Sequence, residues 1–436
     1  MVRIVQMADT HLGYRARRGT INKWAIENYS RPYEQEIYDT FLKVMEDVSR
    51  IKNLDFLVHC GDMFHHPFLF SSYPPPEPAR RTFKEGLEIF FRNTNGQVPL
   101  IYIEGNHGIF RGYEYTPFES HVKEEEFPNL YYFKERNLID AIKESKPLKL
   151  EFPAKNTRFY LFPYFEFKGF EAYKNQYDGW VENQRPPKND GFVNIGLAHG
   201  SIGDNTLHNK VSSDDLSYDY VALGHEHGLK EVTRNHFYSG SLLPMNFKEA
   251  YERQGYLIVD IDSKATKLTV EKVFTDILSK RDFEFVTIDT NPDQSSIDLQ
   301  NLISDQLKAY ISEGGFNPKT AARLKFNFSG EITFEKNWQI NEIMSRIRRD
   351  CFSELEKYNI LQLIWKIDDI SELFEDDISA GRIQDYILET PDVEFKKFVN
   401  EKLTEEESKF DVDKLTQYGM RALKKALRTI EREKEV

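Results

Sequence analysis

The sequence predicts an α/β domain over residues 1 to about 270, followed by a smaller α+β unit and a helical tail. Three observations point there. Short apolar runs alternate with amphipathic stretches through the first half, the texture of strands and helices packed in layers. Glycines and ligand-type side chains fall just after those runs. The chain holds 436 residues, beyond the size at which a single hydrophobic core stops growing, so two or three units are expected.

Taken in order, residues 2–7 form the first apolar run, and Ile37, Phe41, Val44, Val48 and Ile51 then repeat at helical spacing. A second run at 54–60 precedes the breaker Tyr73-Pro74-Pro75-Pro76, after which Ala79, Phe83, Leu87, Phe90 and Phe91 mark another helix. Further runs lie at 100–103, 159–162, 193–198 and 220–223. YLIVDID after Gly255 reads as a closing strand, and 276–281 as a connector. The smaller unit then reads as strand (283–288), helix (about 296–312), strand (323–328), helix (about 336–358) and strand (361–367), without a recognisable catalytic cluster. Residues 371–436 are acidic and then basic and read as helical, broken at Pro391. The sequence shows neither internal repeats nor low-complexity segments.

Composition narrows the function. At 40% hydrophobic and 14% aromatic residues the chain can bury sizeable cores, and 30% charged residues leave a solvated surface. Nothing approaches the roughly 20 apolar residues of a membrane span, and MVRIVQMADTHLG runs directly into a strand, so neither membrane insertion nor export is expected. The cysteines, Cys60 and Cys351, build no disulfide framework and no CxxC site, which predicts a reducing, intracellular compartment. A net charge of minus 13 argues against holding nucleic acid by bulk electrostatics. Any grip on DNA must be local, metal-mediated or supplied by a partner.

The polar residues decide the chemistry. Asp9 and His11 follow the first run, Gly61-Asp62 the second and Gly105-Asn106-His107 the third, while His199-Gly200 and Gly224-His225-Glu226-His227 follow the runs at 193 and 220. In an α/β sheet the carboxyl ends of strands converge on one crevice, so residues distant in sequence can meet there. Carboxylate, imidazole and amide oxygen suit Mn, Fe, Zn or Mg, and no thiolate is present to favour a softer ion. Such a set, with one carboxylate able to bridge, is what two ions about 3.5–4 Å apart need for in-line phosphoryl displacement. Their shared charge acidifies a bridging water towards neutral pH.

The ordered series DxH, GD, GNH, HG, GHxH resembles the signature of the calcineurin-like metallophosphoesterases. Within that family, DTHLGY at 9–14, GDMFHH at 61–66 and YSGSLLPMNFKEAYERQGYLIVDID at 238–262 are similar to the DNA double-strand-break repair nucleases of the SbcD and Mre type. The resemblance covers roughly the first 265 residues and implies a four-layer α/β/β/α domain over 1–270, a capping domain over 271–370 that shapes the DNA path, and a partner-binding tail over 371–436. Carried over by position, Asp9, His11, Asp62 and His227 would hold one ion and Asp62, Asn106, His199 and His225 the other, two manganese ions per chain or other divalent ions in their place. His107 matches the catalytic histidine that protonates the leaving oxygen, and His65 a histidine that positions the phosphate. The resemblance also implies 3′-end exonuclease and endonuclease action, a homodimer built on N-terminal helices, and an SMC-like coiled-coil ATPase bound through residues 390–436. One position departs from the pattern: the family usually has an acidic residue after GNH, and here it is Gly108. A carboxylate there would orient the histidine, so either activity is low or Glu114 or Glu119 substitutes.

Plainer roles fit the remaining features. His59 lies within an apolar strand, and His121, His208 and His236 lack a strand-end position, so all four read as structural; His66 competes with His65 for the phosphate contact. Arg15, Arg17, Arg18 and Lys23 form a loop cluster that can track a DNA backbone. Arg80, Arg81 and Lys84 read as the polar face of a helix, and Phe64, Phe68 and Phe70 as core. In the tail, Phe395, Phe398, Val399 and Leu403 form one apolar stripe, and Val412, Leu415, Leu423, Leu427 and Ile430 a second, suited to docking on a partner. Two rival functions stand beside the nuclease: hydrolysis of small phosphodiesters, which the acidic charge suits, and a weakly active scaffold for DNA ends, which Gly108 suggests.

Overall fold

A computed structural model describes residues 1–14, 32–65, 75–108, 122, 126–165, 174–187, 190–200, 218–262, 267–275, 281–291, 293–312, 321–330, 332, 334–350 and 360–367. The elements run β1 (Val2–Met7), α1 (Pro32–Ser49), β2 (Phe56–His59), α2 (Glu77–Asn93), β3 (Leu100–Ile103), β4 (Leu130–Phe133), α3 (Glu135–Lys143), β5 (Lys149–Phe152) and β6 (Thr157–Phe162). They continue with α4 (Lys174–Glu182), β7 (Val193–His199), β8 (Tyr220–Gly224), β9 (Lys230–Thr233), β10 (His236–Tyr238), β11 (Gly255–Asp262) and β12 (Lys267–Phe274). Last come β13 (Arg281–Thr290), α5 (Ser296–Ser312), β14 (Ala321–Gly330), α6 (Phe334–Asp350) and β15 (Ile360–Ile367).

Two six-stranded sheets form, ordered β12-β11-β1-β2-β3-β4 and β5-β6-β7-β8-β10-β9. Strands β1 to β4 pair in parallel in the first sheet, with β4 at its edge, and β6, β7, β8 and β10 in the second. A parallel strand covered on both faces has no solvated side, which is why these segments are continuous apolar runs and not alternating ones. Side chains of the facing sheets, among them Ile4, Phe56, Val58 and Ile101 from the first and Phe159, Leu161, Ile195 and Leu197 from the second, share one core. The outer face of the first sheet packs on α1 and α2 through Ile37, Phe41, Phe83 and Phe90. That of the second packs on α3 and α4 through Leu138, Ile142, Tyr177 and Trp180. The packing order is helices, sheet, sheet, helices.

A buried polar tie links β1 to β8 and β10 across the sheets. The Gln6 amide of β1 donates to the Leu223 and Phe237 carbonyls at 3.0 and 2.9 Å, and Tyr220 donates its hydroxyl to Gln6 Oε1. Each polar atom of the Gln6 side chain is therefore satisfied while fully buried. Because β1 and β8 both end at the candidate site, this tie sets one exit loop against the other.

The third sheet, β13-β14-β15, is parallel throughout, and α5 and α6 follow its first two strands, the element order the sequence predicts. The fully buried Arg323 of β14 donates to Glu36 of α1 at 2.8 Å. Residues 1–331 and 336–367 fall in one compact unit; the other comprises 332–335 and 368–436, so the predicted tail, its two stripes and the 390–436 partner segment lie outside the described residues. Also outside them are Arg15, Arg17, Arg18, Lys23, His66, Phe68, Phe70, Glu114, Glu119, His121, His208 and Cys351. Among the described residues no helix is long and apolar enough to cross a membrane.

Candidate metal centre

The strand-end residues are brought to one edge by backbone hydrogen bonds between exit loops. Asp9 N–H donates to Gly61 O at 3.0 Å, His11 N–H to Asp62 O at 3.0 Å and Leu12 N–H to Met63 O at 2.9 Å. In the second sheet Gly200 N–H donates to Gly224 O at 3.1 Å. Side chains cross-link the two sets: His225 N–H donates to Asp9 Oδ2 and His107 N–H to Asp62 Oδ1, both at 2.8 Å. Asp9, His11 and Asp62 adopt φ of 49°, 49° and 53°, and His225 a φ of 103°. Left-handed backbone at non-glycine residues costs about 1–3 kcal/mol each and clusters where function demands a particular side-chain aim. Asp62 is approached so closely by the GNH turn that a Cβ on Gly105 would fall on its carboxylate.

All nine candidate site residues come together. His11 Nε2 lies 3.0 Å from His227 Nε2 and 3.8 Å from Asp62 Oδ2. His199 Nε2 is 2.9 Å from Asn106 Oδ1 and 3.4 Å from Asp62 Oδ2, and His225 Nδ1 is 3.1 Å from Asn106 Oδ1. Potential ligand atoms fall within 4.8 Å of one another in three groups: Asp9, His11 and His227; Asp9, Asp62 and His199; and His11, His65 and His107. The rings of His65 and His107 stack at 4.7 Å, and His65 Nδ1 is 3.2 Å from His11 Nδ1.

This crowd of acceptors fits a cation. Asp9 Oδ1 is buried without a hydrogen-bond partner among the described residues, a costly state unless something positive satisfies it. His199 donates its Nδ1–H to the Cys60 carbonyl at 2.8 Å, which leaves Nε2 as the ring nitrogen turned to Asn106 and Asp62; burial pulls this ring down, but Asp62 and Asp9 prevail and raise it above its ordinary value. The electrostatics are those of a carboxylate and imidazole site held out of water. Burial pushes Asp9 up to about 6, against the pull of His199 and His227. Burial acts the same way on Asp62, but His199, His107 and His11 outweigh it and hold that carboxyl well below the usual range. His11 is held well below its ordinary value by burial, and His225 is lowered to about 4 by burial and then His199. His227 rises to about 9: burial opposes this, and the Glu249 hydrogen bond and the charge of Asp9 prevail.

The residues read as structural behave so. His59 is buried and paired with Thr10 Oγ1 at 2.8 Å, and His236 with Thr233 Oγ1 at 2.7 Å. Phe64 is buried against Phe83, and Lys84 pairs with Glu126 at 2.8 Å.

Two carboxylates at the site escaped the sequence reading. Glu249 accepts the His227 Nδ1–H at 3.0 Å; its one signal was its place in the NFKEAYERQG segment. Glu104, directly before GNH, is 3% exposed and accepts from Tyr132 OH at 2.8 Å and Glu135 N–H at 3.0 Å. Burial pushes it up to about 8. A Cβ on Gly108 would lie 2.7 Å from Glu104 Cγ and 3.3 Å from its Oε1. The departure from the family pattern thus sits where a neighbouring carboxyl already fills the space. Beside the cluster, a cavity of about 720 Å³ is lined by His225, His227, Lys230, Lys248, Arg253 and Lys272 among others, with the Arg253 guanidinium 3.4 Å above the Phe274 ring.

Comparison with known proteins points to one family. The family model of the calcineurin-like phosphoesterases matches residues 2–229. The SbcD component of the nuclease SbcCD from Staphylococcus epidermidis is 27% identical over 340 residues, covering 73% of this chain and 78% of that one. The DNA double-strand break repair protein Mre11 of Archaeoglobus fulgidus is 31% identical over 106 residues, 24% of this chain and 19% of that one. Mre11 of Methanococcus maripaludis is 32% identical over 108 residues, covering 25% and 23%. The match to each archaeal protein thus spans about a fifth of that protein's length. With a match across more than half of its length, this chain belongs to the calcineurin-like phosphoesterase family.

Proposed function

We propose that this chain is a manganese-dependent DNA nuclease that hydrolyses phosphodiesters at a two-cation site. The observation that carries this reading is the convergence of Asp9, His11, Asp62, Asn106, His199, His225 and His227, with Asp9 Oδ1 buried and unsatisfied. Asp9, His11, Asp62 and His227 would hold one ion and Asp62, Asn106, His199 and His225 the other. Bound there, the ions supply Lewis-acid charge for a phosphoryl oxygen and acidify a water towards neutral pH. The protein's own groups do the rest. His107, fixed through its backbone by Asp62, protonates the leaving 3′ oxygen. His65, stacked on His107, contacts the phosphate.

DNA as the substrate is supported by the SbcCD and Mre11 relatives and by the cavity with Lys230, Lys248, Arg253 and Lys272 beside the site. These four cationic side chains, which share the lining with Glu226, Glu249 and Glu252, offer local contacts for the further phosphates of a polymer. On the same reading the enzyme is intracellular, acts as a 3′-end exonuclease and as an endonuclease, pairs as a homodimer, and binds an SMC-like ATPase through residues 390–436. Residues 271–370 cap the nuclease domain of 1–270. Hydrolysis of small phosphodiesters is the second reading, favoured by the net charge of minus 13. Labelled single- and double-stranded DNA compared with a small aryl phosphodiester under saturating manganese separates the two. Cleavage of the small ester alone removes the nuclease reading, and a His107→Ala variant equal to wild type on DNA favours a scaffold.

A further inference from the structure

We propose that Glu249 is a positioning residue for one of the two cation sites, and that aromatic side chains on β13 hold it in place. The inference rests on the two-cation reading above and adds a control element to that site. Glu249 is 8% exposed and its carboxylate is held from three sides. Oε2 accepts the Met245 N–H at 2.6 Å, while Oε1 accepts from the Asn246 amide and from His227 Nδ1, the latter at 3.0 Å. With Nδ1 committed to this carboxylate, Nε2 is the nitrogen that faces the cluster, 3.0 Å from His11 Nε2. A carboxylate in this relation to a ligating imidazole fixes the ring's orientation and strengthens its donor nitrogen.

What holds Glu249 is less local. Residues 239–254 form neither helix nor strand; the segment is fastened by Ser241 N–H to His227 O at 2.9 Å, Glu252 N–H to Glu249 O at 3.0 Å, and by its aromatic residues. Phe247 meets Phe283 and Phe285 edge-on at centroid distances of 5.1 and 5.6 Å, and Tyr251 stacks on Phe285 at 5.2 Å. Phe283 and Phe285 are two positions apart on β13 and therefore share one face of the strand. Phe247, buried, and Tyr251, largely exposed, stand two residues to either side of Glu249, so the backbone of this short segment connects their contacts with β13 to Glu249, whose carboxylate meets His227. His199 and His225 are positioned differently, by the Cys60 carbonyl and by Asp9. A shift of β13 therefore acts first on the ion site that includes His227.

The test is manganese titration of the full chain, read by calorimetry and by electron paramagnetic resonance so that the two sites are resolved. Glu249→Ala is expected to weaken one site by about 10- to 100-fold, the usual effect of removing such a supporting carboxylate, and to leave the other unchanged. Glu249→Gln, which keeps the shape and one acceptor, should recover part of that loss. Phe285→Ala should weaken the same site by a smaller factor, and add nothing in a Glu249→Ala background because both changes interrupt one chain of contacts. Unchanged affinity in Glu249→Ala, equal weakening of both sites, or independent effects of Phe285→Ala and Glu249→Ala each overturn the proposal. Wild-type protein that takes up no manganese overturns the two-cation reading and this one with it. Wild-type protein that binds two ions, as Glu249→Ala also does at the same affinities, overturns this one alone.

Discussion

Gly108→Ala puts the packing of the GNH turn to a quantitative test. The added Cβ would sit 2.7 Å from Glu104 Cγ, whereas carbon atoms rest at about 3.5–4.0 Å, so one of the two must move by about 1 Å. Glu104 cannot swing away cheaply, because Tyr132 OH and Glu135 N–H hold its two oxygens. Inserting a methyl into a site that cannot give costs about 1–3 kcal/mol. Glu104→Ala has its own cost, on the order of 1–3 kcal/mol, from the buried Glu135 N–H that loses this acceptor, yet it clears the space. The double variant should therefore be more stable than the two single effects predict, by about 1–3 kcal/mol. Urea denaturation of the full chain in EDTA, followed by tryptophan fluorescence, measures all four proteins. A Gly108→Ala midpoint equal to wild type, or strict additivity in the cycle, refutes the packing argument. Gly108→Asp meets the same obstruction and brings a second carboxylate beside Glu104, so restoring the family's acidic residue should destabilise the turn and leave activity no higher.

The remaining expectations concern the site and its surroundings. His107→Ala should lower the rate of phosphodiester cleavage by about 10²–10⁴-fold, the range for loss of a general acid, while calorimetry still detects manganese uptake; an unchanged rate would remove its role. Manganese at about 100 times its dissociation constant should raise unfolding stability by about 2.7 kcal/mol per site, and chelation should reverse this in differential scanning calorimetry; identical melting with and without the ion argues against a folded-state site. Burial lowers His59 from its ordinary 6.5 to about 3, so below pH 6.5 the unfolded chain takes up a proton that the folded one refuses. The stability it contributes is complete above pH 6.5 and declines by about 1.4 kcal/mol per pH unit towards pH 3. His59→Phe should flatten that acid-side slope in urea titrations, and parallel slopes would show that another group carries it.

How much was legible in the sequence follows from what each signal depends on. Strands β1, β2, β3, β6, β7 and β8 were readable because a parallel strand buried on both faces is mostly apolar along its length, with polar exceptions such as Gln6 and Asn194. The site residues were readable for a related reason: each directly follows one of those strands, and strand ends share an edge whatever the chain does between them. Strands β4, β5 and β9 escaped notice because their residues are half-buried or exposed, and β10 because it is 3 residues long.

The sequence by itself therefore determined the class of the fold and the identity of the gathering side chains, since both rest on apolar periodicity and residue type next to a strand. Which nitrogen of His227 faces its neighbours, why position 108 has no side chain, and how β13 reaches the cluster were decided by tertiary structure alone. The physical reason lies in where the partners sit. Glu249 acts on a ring 22 positions away, and Glu104 is held by groups 28 and 31 positions away. Contacts of that kind depend on how loops close in space, and a pattern of residues along the chain carries no trace of them.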